Sequence, residues 1–192
     1  MPSSLPWWAL VSSTAAPVAL IGGWTLAARR QPAGFDSTAD TISALAAVDA
    51  TDRWLMTTAL LCVGVAHMVT ASGLSRAAPA GRIVLALGGV ATMLVAVFPL
   101  PAEGGSPGHT VSAALAFGAL AVWPAAAWRR GRGPVALRPA VSVAAALVLL
   151  ALVGWFAATL AGGGPVGLTE RVAAGAQACW PLAVALSCRR TP

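Results

Sequence analysis

Long apolar runs broken by short polar punctuation dominate the chain. A membrane-crossing helix needs about 20 predominantly apolar residues. Six stretches reach that scale: residues 7–28, 54–75, 83–100, 110–128, 139–160 and 172–188. The breaks between them carry turn chemistry. Gln31-Pro32-Ala33-Gly34 ends the first stretch, and Pro99-Leu100-Pro101 with Gly104-Gly105-Ser106-Pro107-Gly108 separates the third from the fourth. Gly131-Arg132-Gly133-Pro134 and Gly162-Gly163-Gly164-Pro165 close the fourth and fifth. The expected fold is all-α: a polytopic transmembrane bundle of about six helices, forming a single domain over residues 1–192. The first stretch lacks a basic leader and is too long for a secretory h-region, so it is read as a permanent helix.

The first connection, residues 35–53, is the longest. Its segment Asp36-Ser37-Thr38-Ala39-Asp40-Thr41-Ile42-Ser43-Ala44-Leu45 predicts a short extra helix, with Ser37 and Asp40 as a capping box. Asp36 and Asp40 would share one face of it. This helix is expected over the mouth of the bundle or dipping into it.

Composition supports the membrane reading. Of the 192 residues, 58% are hydrophobic and 9% charged, against roughly 25% charged in soluble domains. So little charge cannot cover a water-facing surface. The net charge of +6 comes from twelve arginines. They sit singly or in short groups at the ends of apolar runs, which is a topology signal and not a nucleic-acid patch. With the amino terminus in the cytoplasm, Arg76, Arg82, Arg129, Arg130, Arg132, Arg138, Arg189 and Arg190 lie inside. Arg29, Arg30, Arg53 and Arg171 lie outside. Both termini are then cytoplasmic, and the Ala-, Gly- and Arg-rich composition without Lys or Tyr suggests a bacterial inner membrane protein.

The acids are more lopsided. Asp36, Asp40, Asp49, Asp52, Glu103 and Glu170 are all the acids in the chain, and every one falls in the first, third or fifth connection or just beyond it. His109 joins them. The asymmetry holds whichever way the bundle is inserted, and it is the strongest functional pointer in the sequence.

Each candidate has two readings. Asp40 is a desolvated, protonated general acid at the bundle mouth or a helix cap in water; Asp36 shares both readings. Glu170 is an acid or base at that mouth, with Arg171 tuning it or gripping an anion, or a carboxylate favoured by the helix dipole. Gln177 lies seven residues on, along the same face. Glu103 is a further acid or a solvated loop residue. His109 is a proton shuttle or a cap. His67, deep in the second stretch, reads as a helix–helix hydrogen bond. Trp24, Trp54, Phe98, Trp155 and Phe156, with Trp180 nearer the middle, form either an aromatic-walled pocket that stabilises cations or a belt with core packing. Trp7, Trp8, Trp123 and Trp128 fit an interfacial belt. Cys62, Cys179 and Cys188 lack CxxC spacing, so neither disulfide nor metal site is expected, and no nucleotide loop, serine elbow or HExxH occurs.

Several of these residues also carry a family resemblance. Asp40-Thr41-Ile42-Ser43, Gly73-Leu74, Phe98-Pro99, Gly108-His109, and Gly167-Leu168-Thr169-Glu170-Arg171 with Trp180 together resemble the bacterial and archaeal membrane family called domain of unknown function 998, over roughly residues 15–188. That family has an Asp soon after its Phe-Pro pair; here Leu100-Pro101 follow and Glu103 comes later. In size and character the chain is also similar to small bacterial membrane-bound terpene cyclases, which share a few helices, carboxylic acids at one end and an aromatic pocket. This second resemblance implies proton-initiated cyclisation of a membrane-soluble isoprenoid. Asp40 and Glu170 would be acid and partner, Asp36 and Glu103 would stand behind them, and His109 would reprotonate the acid. No cofactor, metal or nucleic acid is expected; the partners are the bilayer and a hydrophobic small molecule. The competing readings are a small transporter or lipid-binding protein, and an accessory subunit, whose oligomeric contacts the Ala and Gly content permits.

Overall fold

The computed structural model describes residues 5–131 and 133–190; Arg132, counted above among the inner arginines, lies outside them. Six long helices follow one another: α1 (Trp7–Ala28), α2 (Trp54–Gly73), α3 (Pro79–Val97), α4 (Pro107–Ala127), α5 (Pro139–Gly162) and α6 (Val166–Arg189). Two single 3₁₀ turns, Ser43–Ala46 and Val135–Leu137, interrupt the connections. Five helices, α1 to α5, are long and apolar enough to cross a membrane. The sixth is as long as α5 but more polar, because it carries Glu170, Arg171 and Gln177.

Proline and glycine set the boundaries. Pro79, Pro107 and Pro139 each occupy a first-turn position, where the missing N–H is no loss. Gly163 and Gly164 take φ of 78° and 121°, a region glycine enters without strain. They turn the chain so that α6 starts at Val166, six residues earlier than the hydropathy suggested. Glu170 therefore sits inside the helix and not in its first turn.

Each helix packs on its neighbour in sequence, and α6 returns to α1, closing a ring. Small residues permit the close approaches. A Cβ on Gly64 of α2 would strike the Gly89 carbonyl and Met93 of α3, and one on Gly81 would strike the Ala127 backbone of α4. Outward faces are apolar, as for Val18, Leu87, Leu115 and Leu147, which suits lipid.

The first, third and fifth connections meet at one end, here the acidic end. Val48 N–H donates to the Leu100 carbonyl at 3.0 Å there. The second and fourth connections, the start of α1 and the end of α6 share the opposite, arginine end. Ala78 N–H donates to the Ala127 carbonyl at 2.9 Å, and Arg82 donates through Nε and Nη2 to the Ala71 and Ser72 carbonyls at 2.8 Å each. Trp123, expected in an interfacial belt, is fully buried there among Leu74, Leu85 and Leu137.

The expected extra helix is a single 3₁₀ turn. Residues 36–40 form a capped turn instead, with the capping box shifted by one residue. Asp36, not Ser37, is the cap: its Oδ1 accepts from the Thr38 N–H and hydroxyl at 2.8 Å each. Asp40 Oδ2 in turn accepts the Asp36 N–H at 2.8 Å.

Candidate functional site

The first connection folds into the acidic end of the ring. Ile42, Leu45 and Ala46 are buried against Leu20, Met56, Leu60 and Val63. The connection is held to α6 by backbone bonds. Leu168 N–H donates to the Thr38 carbonyl at 3.0 Å. One guanidinium nitrogen of Arg171 donates to the carbonyls of Ser37, Asp40 and Gly167 at 2.7, 2.7 and 3.0 Å. Gly167 is pressed so closely to the carbonyls of Ser37 and Asp40 that no side chain fits. The Gly167-Leu168-Thr169-Glu170-Arg171 segment is thus the seat of a roof made from residues 37–46.

Glu170 points inward beneath this roof. It is 4% exposed. Its Oε2 accepts the Ile42 N–H at 2.5 Å and its Oε1 faces the Ser43 hydroxyl at 3.4 Å. Arg171 donates through Nη1 to carbonyls, and among the described residues Glu170 makes no salt bridge. A carboxyl so placed is desolvated and is compensated by the Ile42 N–H, the Ser43 hydroxyl and the nearby Arg171 charge beyond salt-bridge distance.

Below Glu170 lies a cavity of about 60 Å³, room for roughly four waters. Its wall is mostly apolar, including Leu20, Leu60, Val95 and Phe117, with Glu170, Gln177, Thr92, Ser43 and His67 as polar points. Gln177 donates to the Phe117 carbonyl at 2.8 Å, bridging α6 to α4. Thr92 bonds back to the Gly88 carbonyl at 2.9 Å. His67 is fully buried, and neither ring nitrogen has a hydrogen-bond partner among the described residues. The expected helix–helix bond of His67 is therefore not made. The signal was available: an ionisable side chain deep in an apolar span is costly and asks for a function.

The other candidates do not converge on this cavity. Asp40 is half-buried with its carboxyl turned back on its own turn, and Asp36 is exposed on the rim. The Thr38 N–H and hydroxyl hold the Asp36 carboxyl below the usual carboxylate range. Both acids serve as caps of the roof. Glu103 is exposed in its loop. His109 is buried, but its Nδ1 bonds the Phe98 carbonyl at 2.9 Å and ties the third connection to α4. Trp54, Phe98 and Trp155 face outward, Trp54 being 60% exposed. Trp24 and Arg171 border a shallow surface groove beside Arg29 and Phe35, and Trp180 lies in a lipid-side groove between α5 and α6. Phe117, not singled out from the sequence, is the aromatic on the cavity wall.

The fold and this roofed cavity define a multi-pass helical membrane protein with a buried carboxyl and a buried imidazole in one internal chamber. The chain belongs to the family described as Protein of unknown function (DUF998), whose model matches residues 13–187. No curated protein and no solved structure matches it.

Proposed function

We propose that the protein is a membrane enzyme in which Glu170, as the neutral acid, protonates an alkene of an isoprenoid or prenylated substrate drawn from the bilayer. The supporting observation is the Glu170 carboxyl, desolvated and free of any salt bridge, on the wall of a mostly apolar cavity. In the step, the Glu170 proton forms a new C–H bond at the expense of the alkene π bond, leaving a carboxylate and a tertiary carbocation. Directly, or after a second alkene has attacked the cation and closed a ring to leave a new cation, a C–H next to the cationic carbon gives its proton back to Glu170 as the C=C bond reforms. The product is an isomer of unchanged mass, and the acid is regenerated. The cavity has room for about one branched isoprene-sized unit, so the unit protonated is the one seated there. Lipid and helices exclude the water that would quench the cation. Phe156 packs on Phe117 at 5.2 Å between ring centroids and the other five expected aromatics are dispersed, which leaves cation stabilisation to Phe117 and the carboxylate and favours isomerisation or a single ring closure over a polycyclic cascade. The setting is a bacterial cytoplasmic membrane with both termini inside.

Membranes containing the protein are incubated with prenyl alcohols, their diphosphates and epoxides, and lipid-soluble products are resolved by mass spectrometry. A product of unchanged mass and altered retention, reduced about a hundredfold or more in Glu170→Gln, is expected. No product across the panel, or full turnover by Glu170→Gln, overturns the reading. One observation favours a second reading. The Ser12–Thr70 hydroxyl pair at 2.8 Å lies one turn of α2 beyond His67 and continues the polar file toward the arginine end, as a proton-coupled transporter would require. Glu170-dependent proton flux into liposomes would support it.

A further inference from the structure

We infer that His67 is the head-group site of the cavity, and that the ligand held there is a neutral alcohol on a short branched apolar body. This deepens the reading above by naming the substrate's polar group, and it rests on that reading in taking the cavity as the substrate chamber.

The argument starts from cost. A buried imidazole with no partner forfeits the solvation of two polar nitrogens, and most buried polar side chains avoid this. His67 is nevertheless fully buried on the cavity wall with both nitrogens unmatched. Its position is well fixed. Gly64, one turn earlier, packs on Gly89, and a Cβ on Gly89 would lie 3.2 Å from the His67 Cβ. The base of the side chain is therefore held against α3, with the ring on the cavity wall.

A neutral imidazole has one N–H donor and one acceptor nitrogen. A hydroxyl matches such a ring because it both accepts and donates. A hydrocarbon would leave both nitrogens unpaired. An anion finds no cation in the cavity, since Arg171 is turned to the carbonyls of Ser37, Asp40 and Gly167. An amine would seek Glu170 and leave His67 unchanged. Apart from Ser43, Thr92, Gln177 and Glu170 the rest of the wall is apolar, which suits a branched aliphatic body. Glu170 lies four residues into α6, while His67 lies thirteen residues into the parallel α2. The alcohol at His67 thus sits deepest, and the adjoining carbons of the ligand lie toward the acid.

The test uses the full chain in detergent with ring-¹⁵N-labelled histidine. It has two histidines, and His109, tied to Phe98, is an internal control. Four probes share one body: 3-methylbutan-1-ol, 2-methylbutane, 3-methylbutylamine and 3-methylbutanoate. The alcohol is expected to shift the His67 ring signals saturably and leave His109 unmoved, while the hydrocarbon and carboxylate do not. In His67→Phe, alcohol binding followed by its own proton relaxation should weaken at least tenfold. Unmoved His67 signals with the alcohol, equal shifts with the hydrocarbon, or a response confined to the amine each overturns the inference, the first leaving a chamber for water only. Alcohol binding without turnover sinks the acid chemistry but keeps this site; turnover without any response at His67 does the reverse.

Discussion

The two ends of the bundle are built on opposite plans. At the arginine end, Trp123, Leu74, Leu85, Leu137 and Val184 are buried together in one apolar cluster, and connections are joined by backbone bonds such as Ala78 to Ala127. At the acidic end, a long connection is folded inward as a roof, and the space beneath it is left open around Glu170 and His67. Helices in lipid associate through packing and not through apolar transfer, so an unfilled interior is a direct loss of stability. The arginine end serves as the rigid clamp of the ring. The acidic end gives up packing for a chamber.

Truncation in the two cores gives the largest contrast. Leu85→Ala, in the filled half, is expected to cost roughly 2–4 kcal/mol. Leu60→Ala, whose side chain already borders the cavity, should cost clearly less. Thermal unfolding in a fixed detergent measures both, and equal losses would remove the distinction between a packed and an open half. Next comes the seat of the roof. Gly167→Val drives a side chain into the carbonyls of Ser37 and Asp40 and should destabilise by about 1–3 kcal/mol. Gly175→Ala, where a Cβ would meet Trp24 at an ordinary 3.5 Å, should be nearly neutral. A tolerated Gly167→Val would mean the roof is not seated on α6.

Arg171→Ala tests the same seat through its hydrogen bonds. Three carbonyls lose a charged donor, at about 1–3 kcal/mol for the cluster after allowance for its half-exposed position. Arg129→Ala at the other end frees only the Ala77 carbonyl and should cost under about 1 kcal/mol. Limited proteolysis within residues 36–53 should accelerate in the first variant alone; unchanged cleavage there would argue that the roof holds without Arg171. The smallest effect is a pH response. The folded-state Asp36 carboxyl is held below its usual value, so its contribution is present at neutral pH. It fades as the pH drops below about 4 and through the folded value. The protection of the Thr38 N–H against exchange, relative to its intrinsic rate at each pH, should therefore fall in acid, and Asp36→Asn should abolish that acid response. Because Asp36 is exposed, the global unfolding temperature should move little.

Much of this architecture was legible in the chain. Apolar length, with Pro and Gly between the runs, located the six helices, and the placement of six acids in alternate connections set one end of the bundle apart before any contact was known. Glu170 and Gln177 were found because seven residues bring two polar side chains to one helical face. The failures share a cause. Asp36 and Asp40 look like catalytic acids in composition, but short-range bonds to Thr38 and to Asp36 itself consume them. Trp24, Trp54, Phe98, Trp155 and Trp180 look like a cage, yet lipid and core are both apolar and periodicity does not say which way an aromatic turns.

What the sequence determined by itself is therefore the membrane bundle, its number of long helices and the segregation of carboxylates from most arginines, because these follow from transfer cost and chain length. Only the tertiary structure decided that Ile42 and Glu170, 128 residues apart, meet under a roof, and that His67 faces a cavity and not a neighbouring helix. Those outcomes depend on the rotation of each apolar helix about its own axis. That rotation is set by close contacts such as Gly64 on Gly89 and Gly167 on Asp40, which no local pattern in the chain specifies.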